Sequence, residues 1–149
     1  MGLAVDKYYP QILVAIQFLT MGLMVLFSHG FLHHGIAITI FLLGLTIGLW
    51  ALMHNTLGNF NIQPKLKKDA QLITEGIYAY IRHPMYTSVV TMMFGILIST
   101  PRWYEAILFT LLLLTLYLKA KREEKLLIQA FSNYSDYKKR TRYFVPFVL

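Results

Sequence analysis

Apolar residues occupy long unbroken stretches of this chain, and the polar ones gather between them. From Gln11 to Phe27 nearly every side chain is apolar, and Ile36 to Met53 repeats the pattern after a short link, Ser28 to Gly35, that holds no lysine or arginine. Each stretch falls within the roughly 17 to 25 residues that a helix needs to cross a bilayer. They predict two transmembrane helices in a tight hairpin. Gly44 and Gly48 lie four apart in the second, the small-xxx-small spacing that lets membrane helices approach closely. Ahead of them Met1 to Pro10 reads as a short polar lead-in, with Tyr8 and Tyr9 suited to an interface. The first stretch exceeds the apolar core of about 7 to 15 residues in a secretory leader, so it reads as a span.

The longest polar section runs from His54 to His83 and contains Pro64 and the run Lys65, Lys67, Lys68. Pro84 suits the first position of a helix, where its missing N–H costs no hydrogen bond. It predicts a third span over 85–100. Pro101, Arg102, Trp103 and Tyr104 form a turn with interfacial anchors, and 105–118 is the fourth apolar run. Both of these later runs are short, so flanking residues must complete the crossing. The fourth helix is expected to continue through Lys119 to Phe131, where it becomes charged. The expected fold is an all-α membrane protein, a single domain over 1–149, with four transmembrane helices at 11–27, 36–53, 85–100 and 105–118.

Composition supports a membrane protein: 56% of the 149 residues are hydrophobic and 14% charged, against about 25% charged in soluble domains. With no cysteine there is no disulfide, thiolate nucleophile or Cys-based metal site. The net charge of +7 is distributed unevenly. Four crossings put thirteen of the fourteen lysines and arginines on the side that both termini share, with Arg102 alone opposite. The positive-inside rule makes that side cytoplasmic. Basic clusters beside apolar runs suit anionic lipid headgroups, and no nucleic-acid docking module accompanies them.

One polar stretch, Leu72 to Tyr86 (LITEGIYAYIRHPMY), stands out because it sets Glu75, Arg82 and His83 among tyrosines just before a hydrophobic run. By the topology above, His83 leaves the cytoplasmic surface at the start of the third helix. The fourth helix returns to that surface just before Glu123 and Glu124. A charge near the bilayer centre costs about 2.5–3.5 kcal/mol on insertion scales, so Arg82, Glu123 and Glu124 are expected at headgroup level. They would rim a cytoplasmic-facing pocket, apolar below and wet above, built by the third and fourth spans and the C-terminal helical tail.

Gly76-Ile77-Tyr78-Ala79-Tyr80-Ile81-Arg82-His83-Pro84-Met85-Tyr86, a hydrophobic hairpin, Glu123-Glu124-x-Leu126, then Phe131, Tyr134, Tyr137 and Phe144-Val145-Pro146 follow one another in this chain. The series resembles the C-terminal half of isoprenylcysteine carboxyl methyltransferases, whose wider family includes the integral-membrane phospholipid methyltransferases. It covers residues 58–147. The resemblance implies S-adenosylmethionine as cofactor, S-adenosylhomocysteine as product, and a lipophilic or prenylated acceptor. His83, Pro84, Met85 and Tyr86 match the family's cofactor-contacting HPxY, and Tyr78 matches a contacting tyrosine five residues before the histidine. Ala70, Gln71, Leu72 and Ile73 match the segment before GxY, where backbone contacts dominate, and Gln63 matches a contacting polar residue. Glu123, paired with Glu124, matches the acid that holds the cofactor. The family's acceptor-side arginine, four residues before the first glutamate, is Lys119 here. Lysine can orient an acceptor carboxylate as a point charge but lacks the bidentate fork of arginine, which leaves Arg122 and Arg82 as other cations for the role.

The chemistry of the residues agrees. A sulfonium is a cation that the faces of Tyr78 and Tyr86 can hold, and the carboxylate of Glu123 can pair with an ammonium. In-line methyl transfer gains from orientation and exclusion of water, so neither a triad nor a metal is demanded. Plainer roles compete for each residue: a snorkelling interfacial arginine for Arg82, an aromatic belt for the tyrosines, a weak helix pair for Lys119 and Glu123. His29, His33 and His34 form a cluster that resembles the histidine boxes of membrane di-iron oxidases, but His54 and His83 fall on the opposite face, which favours an interfacial loop. Phospholipid N-methylation is the rival within the class. An NADPH-dependent sterol-reductase-like enzyme is the rival outside it, disfavoured by the EExL pair and the absence of a phosphate-reading arginine cluster. A non-catalytic adaptor leaves the polar pocket unexplained. A lipid-facing entrance shared with a second copy would make the protein a homo-oligomer.

Overall fold

The computed structural model describes residues 2–55 and 71–144. Among them the secondary structure is helical apart from one isolated bridge, Ile81 with Arg142. In chain order the helices are α1 (Gly2–Phe27), α2 (Gly35–His54), α3 (Pro84–Ser99), α4 (Trp103–Ala130) and α5 (Tyr134–Arg140), with short 3₁₀ turns at Phe31–His33 and Gly76–Ala79. Three of these, α1 over Tyr8–Phe27, α2 and α4, are long and apolar enough to cross a bilayer. The fourth apolar helix, α3, is shorter at 16 residues. Gln63, Ala70 and the Lys65 to Lys68 run lie outside the described residues.

Two boundaries differ from the hydropathy pattern. The polar lead-in is already helical, and Pro10 lies inside α1. A proline removes one backbone hydrogen bond, and more than four turns of unbroken apolar helix follow it. At the other end α4 runs well past its apolar portion, as the charged continuation to Phe131 anticipated.

The bundle is held by two pairings, α1 with α4 and α2 with α3. Among the described side chains of α1 the buried ones are Pro10, Leu13, Gln17, Thr20 and Met24, a stripe at steps of three, four, three and four along one helix face. Met24 meets Met93 and Ile96 of α3 and Leu112 and Leu116 of α4 in the main core. Many of the other apolar side chains, Leu19, Leu26, Leu43 and Leu114 among them, are exposed, as a lipid-facing surface requires. Glycine sets the α2–α3 distance. A Cβ on Gly44 would stand 2.7 Å from the Met92 backbone nitrogen and 2.9 Å from the Ser88 carbonyl oxygen. The approach lets the Ser88 hydroxyl donate to the Gly44 carbonyl at 2.7 Å. Gly95 returns the contact, since a Cβ there would lie 2.7 Å from the Ala37 carbonyl oxygen.

At one end of the bundle, Thr100 ties the α3–α4 turn to the α1–α2 link: its hydroxyl donates to the His29 carbonyl at 3.0 Å and accepts from the His29 N–H at 2.8 Å. His29, His33 and His34 are all exposed in that link. At the other end, the chain beyond α5 runs parallel to residues 80–83. The Arg82 N–H donates to the Arg142 carbonyl at 2.8 Å, the Arg142 N–H donates to the Tyr80 carbonyl at 2.9 Å, and the Thr87 hydroxyl donates to the Phe144 carbonyl at 2.6 Å. The tail thus straps the turn that leads into α3.

Candidate active site

The site begins at a glycine. Gly76 has φ 59°, the left-handed region that glycine enters without steric cost, and a Cβ there would overlap the ring of His54 at the end of α2. The turn that follows buries Ile77 against Ala51 and Ile81. Beside it Tyr78 is anchored through its carbonyl, which accepts from the Tyr137 hydroxyl at 2.7 Å. Burial, with the negative charge of Glu123 adding, pushes the Tyr78 phenol up to about 12. It therefore stays protonated and neutral across the physiological range.

His83 caps α3 and Pro84 is its first residue. The His83 ring is almost fully buried and stacks on Tyr86, with centroids 5.5 Å apart and planes at 11°. Its Nδ1 is 3.7 Å from Glu123 Oε2 and its Nε2 is 3.6 Å from Glu124 Oε1. Both separations exceed hydrogen-bond length, so the imidazole lies between two carboxylates, and its Nε2 is buried without a hydrogen bond.

The two adjacent glutamates differ sharply. The Glu124 side chain is 6% exposed and accepts from Arg82 Nε at 2.6 Å and from Lys138 Nζ at 2.8 Å. Arg82 in turn donates to the carbonyls of Lys138 and Thr141 and lies over the Tyr143 ring at 5.2 Å. A guanidinium so enclosed does not snorkel; it fastens the α3 turn to α4 and to the tail. Glu123, by contrast, has a side chain 35% exposed, and it accepts from the Tyr86 hydroxyl at 3.0 Å.

Glu123 opens onto a cavity of about 260 Å³ among α1, α3, α4 and the Gly76 turn. Tyr78, Arg82, His83, Pro84, Met85, Tyr86, Lys119 and Glu123 all line it. The remaining walls are Phe18, Met21 and Val89, which are apolar, and Gln17 and Asn55, which are not. Lys119 is 1% exposed; its ammonium donates to Gln17 Oε1 and sits 5.3 Å from the centroid of the Tyr86 ring. None of the ion pairs among the described residues includes it. The cavity thus presents an accessible carboxylate, Glu123, and a buried cation, Lys119, one turn apart on α4 and both in contact with Tyr86. That arrangement can hold a cation and an anion together above an apolar floor.

Several residues singled out in the sequence lie elsewhere. Gln71, Leu72 and Ile73 form an irregular segment ahead of the Gly76 turn, outside the set that lines the cavity. Glu124 is also outside it, turned toward Arg82 and Lys138. Arg122 packs over the Tyr9 ring of α1 at 5.4 Å and does not reach the cavity. Gln17 and Asn55 carried no motif. The signal for Gln17 was its amide inside an otherwise apolar run, in phase with the buried stripe of α1.

Residues 37–129, from the first turn of α2 to the last turn of α4, match the model of the Isoprenylcysteine carboxyl methyltransferase (ICMT) family. The chain belongs to the isoprenylcysteine carboxyl methyltransferase family. It is also 30% identical over 89 residues to a protein-S-isoprenylcysteine O-methyltransferase of Schizosaccharomyces pombe, an alignment covering 58% of this chain. The chain spans 38% of the length of that curated relative. The α1 residues of the cavity, Gln17, Phe18 and Met21, precede the stretch that matches the family.

Proposed function

We propose that this chain is an S-adenosylmethionine-dependent integral-membrane methyltransferase that methylates the carboxylate of a lipophilic, prenylcysteine-like acceptor. The observation that carries the reading is that Glu123 and Lys119, one turn apart on α4, line one cavity together with the His83-Pro84-Met85-Tyr86 turn. S-adenosylmethionine supplies a methyl group activated by sulfonium charge. The residues fit such a ligand. Among the described residues Glu123 has one hydrogen-bond partner, the neutral Tyr86 hydroxyl, so its carboxylate keeps capacity for an ammonium. The nearby cations Arg82 and Lys138 do not drain it, because Glu124 takes both. Tyr78 offers a neutral ring to a cation. Tyr86 already faces the Lys119 ammonium, so its part is to hold Glu123 and Lys119 in place.

On the acceptor side, Lys119 attracts an anionic group, and Phe18, Met21 and Val89 offer apolar surface worth roughly 25 cal/mol per Å² buried. This favours a carboxylate acceptor over the amine of an aminophospholipid, which gains nothing beside a buried ammonium. NADPH recognition needs cations to spare for a phosphate, and Arg82 is committed to Glu124 and the tail.

We read the fold as one membrane domain over 1–149 with four crossings and both termini and the cavity cytoplasmic, on the strength of the lysine and arginine distribution. α3, at about 24 Å for 1.5 Å per residue, completes its crossing through the residues that flank it. Isothermal titration in detergent tests the cofactor assignment: S-adenosylhomocysteine should bind and NADPH should not, and the reverse result overturns it.

A further inference from the structure

Gln17 lies in the middle of α1, a helix that precedes the family-matched stretch, and is 7% exposed. Its amide orientation follows from its partner. The Lys119 ammonium only donates, so the amide oxygen must face it. The amide NH₂ is therefore free of Lys119, and among the described residues its partner is the Met21 sulfur at 3.9 Å, a weak acceptor. Both side chains line the cavity. Lys119 has three donors, of which Gln17 takes one while the Tyr86 ring offers only its π face. Two polar groups held against each other inside a membrane bundle therefore keep donor capacity directed at the same space.

We infer that Gln17 is a positioning residue for the acceptor: it fixes the Lys119 ammonium and adds its own N–H beside it, so that the pair takes the two oxygens of a carboxylate. A lysine by itself is a mobile point charge on a four-carbon stem, whereas a planar two-donor fork holds a carboxylate in one orientation. Gln17 supplies the second prong and the rigidity from a different helix. Acceptor orientation in this protein thus depends on α1. The inference rests on the methyltransferase reading above.

The test uses the full chain in liposomes, labelled S-adenosylmethionine and N-acetyl-S-farnesylcysteine as the acceptor probe. No methyl transfer by the wild type overturns the methyltransferase reading and, with it, this role. Given transfer, Gln17→Leu should raise the KM for the farnesylcysteine probe at least tenfold while the KM for S-adenosylmethionine stays within twofold. Lys119→Arg introduced into Gln17→Leu brings its own fork and should return the acceptor KM to within threefold of wild type. A merely structural role predicts a lower active fraction with both KM values unchanged and no rescue by arginine. Should Gln17→Leu fail to fold, Gln17→Glu keeps a partner for Lys119 but removes the NH₂ and neutralises the cation, and the same rise in acceptor KM is expected. An acceptor KM within twofold of wild type in the folded variants, or an equal rise for both substrates, refutes the inference.

Discussion

Two adjacent glutamates, one bonded to Arg82 and Lys138 and the other lining the cavity, give a sharp test. Glu124→Gln removes a carboxylate that is 6% exposed and bonded to Arg82, itself 8% exposed, at 2.6 Å. Breaking a buried ion pair by removing one partner costs about 3–5 kcal/mol. Arg82 keeps the carbonyls of Lys138 and Thr141, and the Lys138 side chain is 45% exposed, so its bond contributes little. The loss should therefore lie near the lower end, about 3 kcal/mol, or more than a hundredfold in the folded-to-unfolded ratio. Glu123→Gln removes a carboxylate that is 35% exposed and, among the described residues, bonded to the neutral Tyr86 hydroxyl, from which the amide oxygen can still accept; its stability cost should be below about 1 kcal/mol. Binding should invert the order. Losing a hydrogen bond to a charged group costs about 1.5–3 kcal/mol, or roughly 10- to 150-fold in the Kd for S-adenosylhomocysteine. Thermal unfolding in detergent followed by circular dichroism, with isothermal titration on the folded fraction, measures both. If Glu123→Gln unfolds the protein while Glu124→Gln stays stable and loses binding, the assignment of the two glutamates is wrong.

Three further outcomes are expected. Gly76→Ala forces a left-handed φ on a residue with a Cβ, at about 1–3 kcal/mol, and should weaken S-adenosylhomocysteine binding; adding His54→Ala should relieve the overlap with the ring and recover only part of the loss by titration. Gly44→Leu meets backbone atoms of Met92 and Ser88 that cannot step aside, so it should cost at least about 1–3 kcal/mol of stability, read as a lower thermal midpoint, whereas Gly22→Ala, with open space around it, should be neutral. Tyr78 is pushed up to about 12. Its stabilising contribution is therefore fully present below about pH 10 and is lost as pH rises through 12; near-ultraviolet titration should show a late-ionising phenol that Tyr78→Phe removes.

The helices were legible because lipid imposes a simple rule, long apolar runs. Pro84 marked the start of α3, and Gly44 and Gly48 marked the face that packs on it. Pro10 misled at the first boundary, since a proline reads as punctuation where helix in fact continues through it. The site was legible to the extent that motifs carry position: the residues of the His83-Pro84-Met85-Tyr86 turn, Tyr78, Lys119 and Glu123 share one cavity. Side-chain commitments were not. Glu123 and Glu124 are alike in local sequence, and their difference arises from a rotation of roughly 100° along the helix, which turns one to the cavity and the other to Arg82. The burial of Arg82 depends on carbonyls 56 and 59 residues away. Gln17 meets Lys119 across 102 residues. No local pattern encodes such a contact; it follows from the packing of α1 on α4.

The central claim is methyl transfer to a lipophilic carboxylate. Its most direct test is incubation of the purified chain in liposomes with S-adenosylmethionine labelled at the methyl group, N-acetyl-S-farnesylcysteine and phosphatidylethanolamine, followed by separation of the products. The account predicts label in a base-labile methyl ester of the farnesylcysteine, lost in Glu123→Gln. Label in the phospholipid headgroup instead, or in neither acceptor, contradicts it.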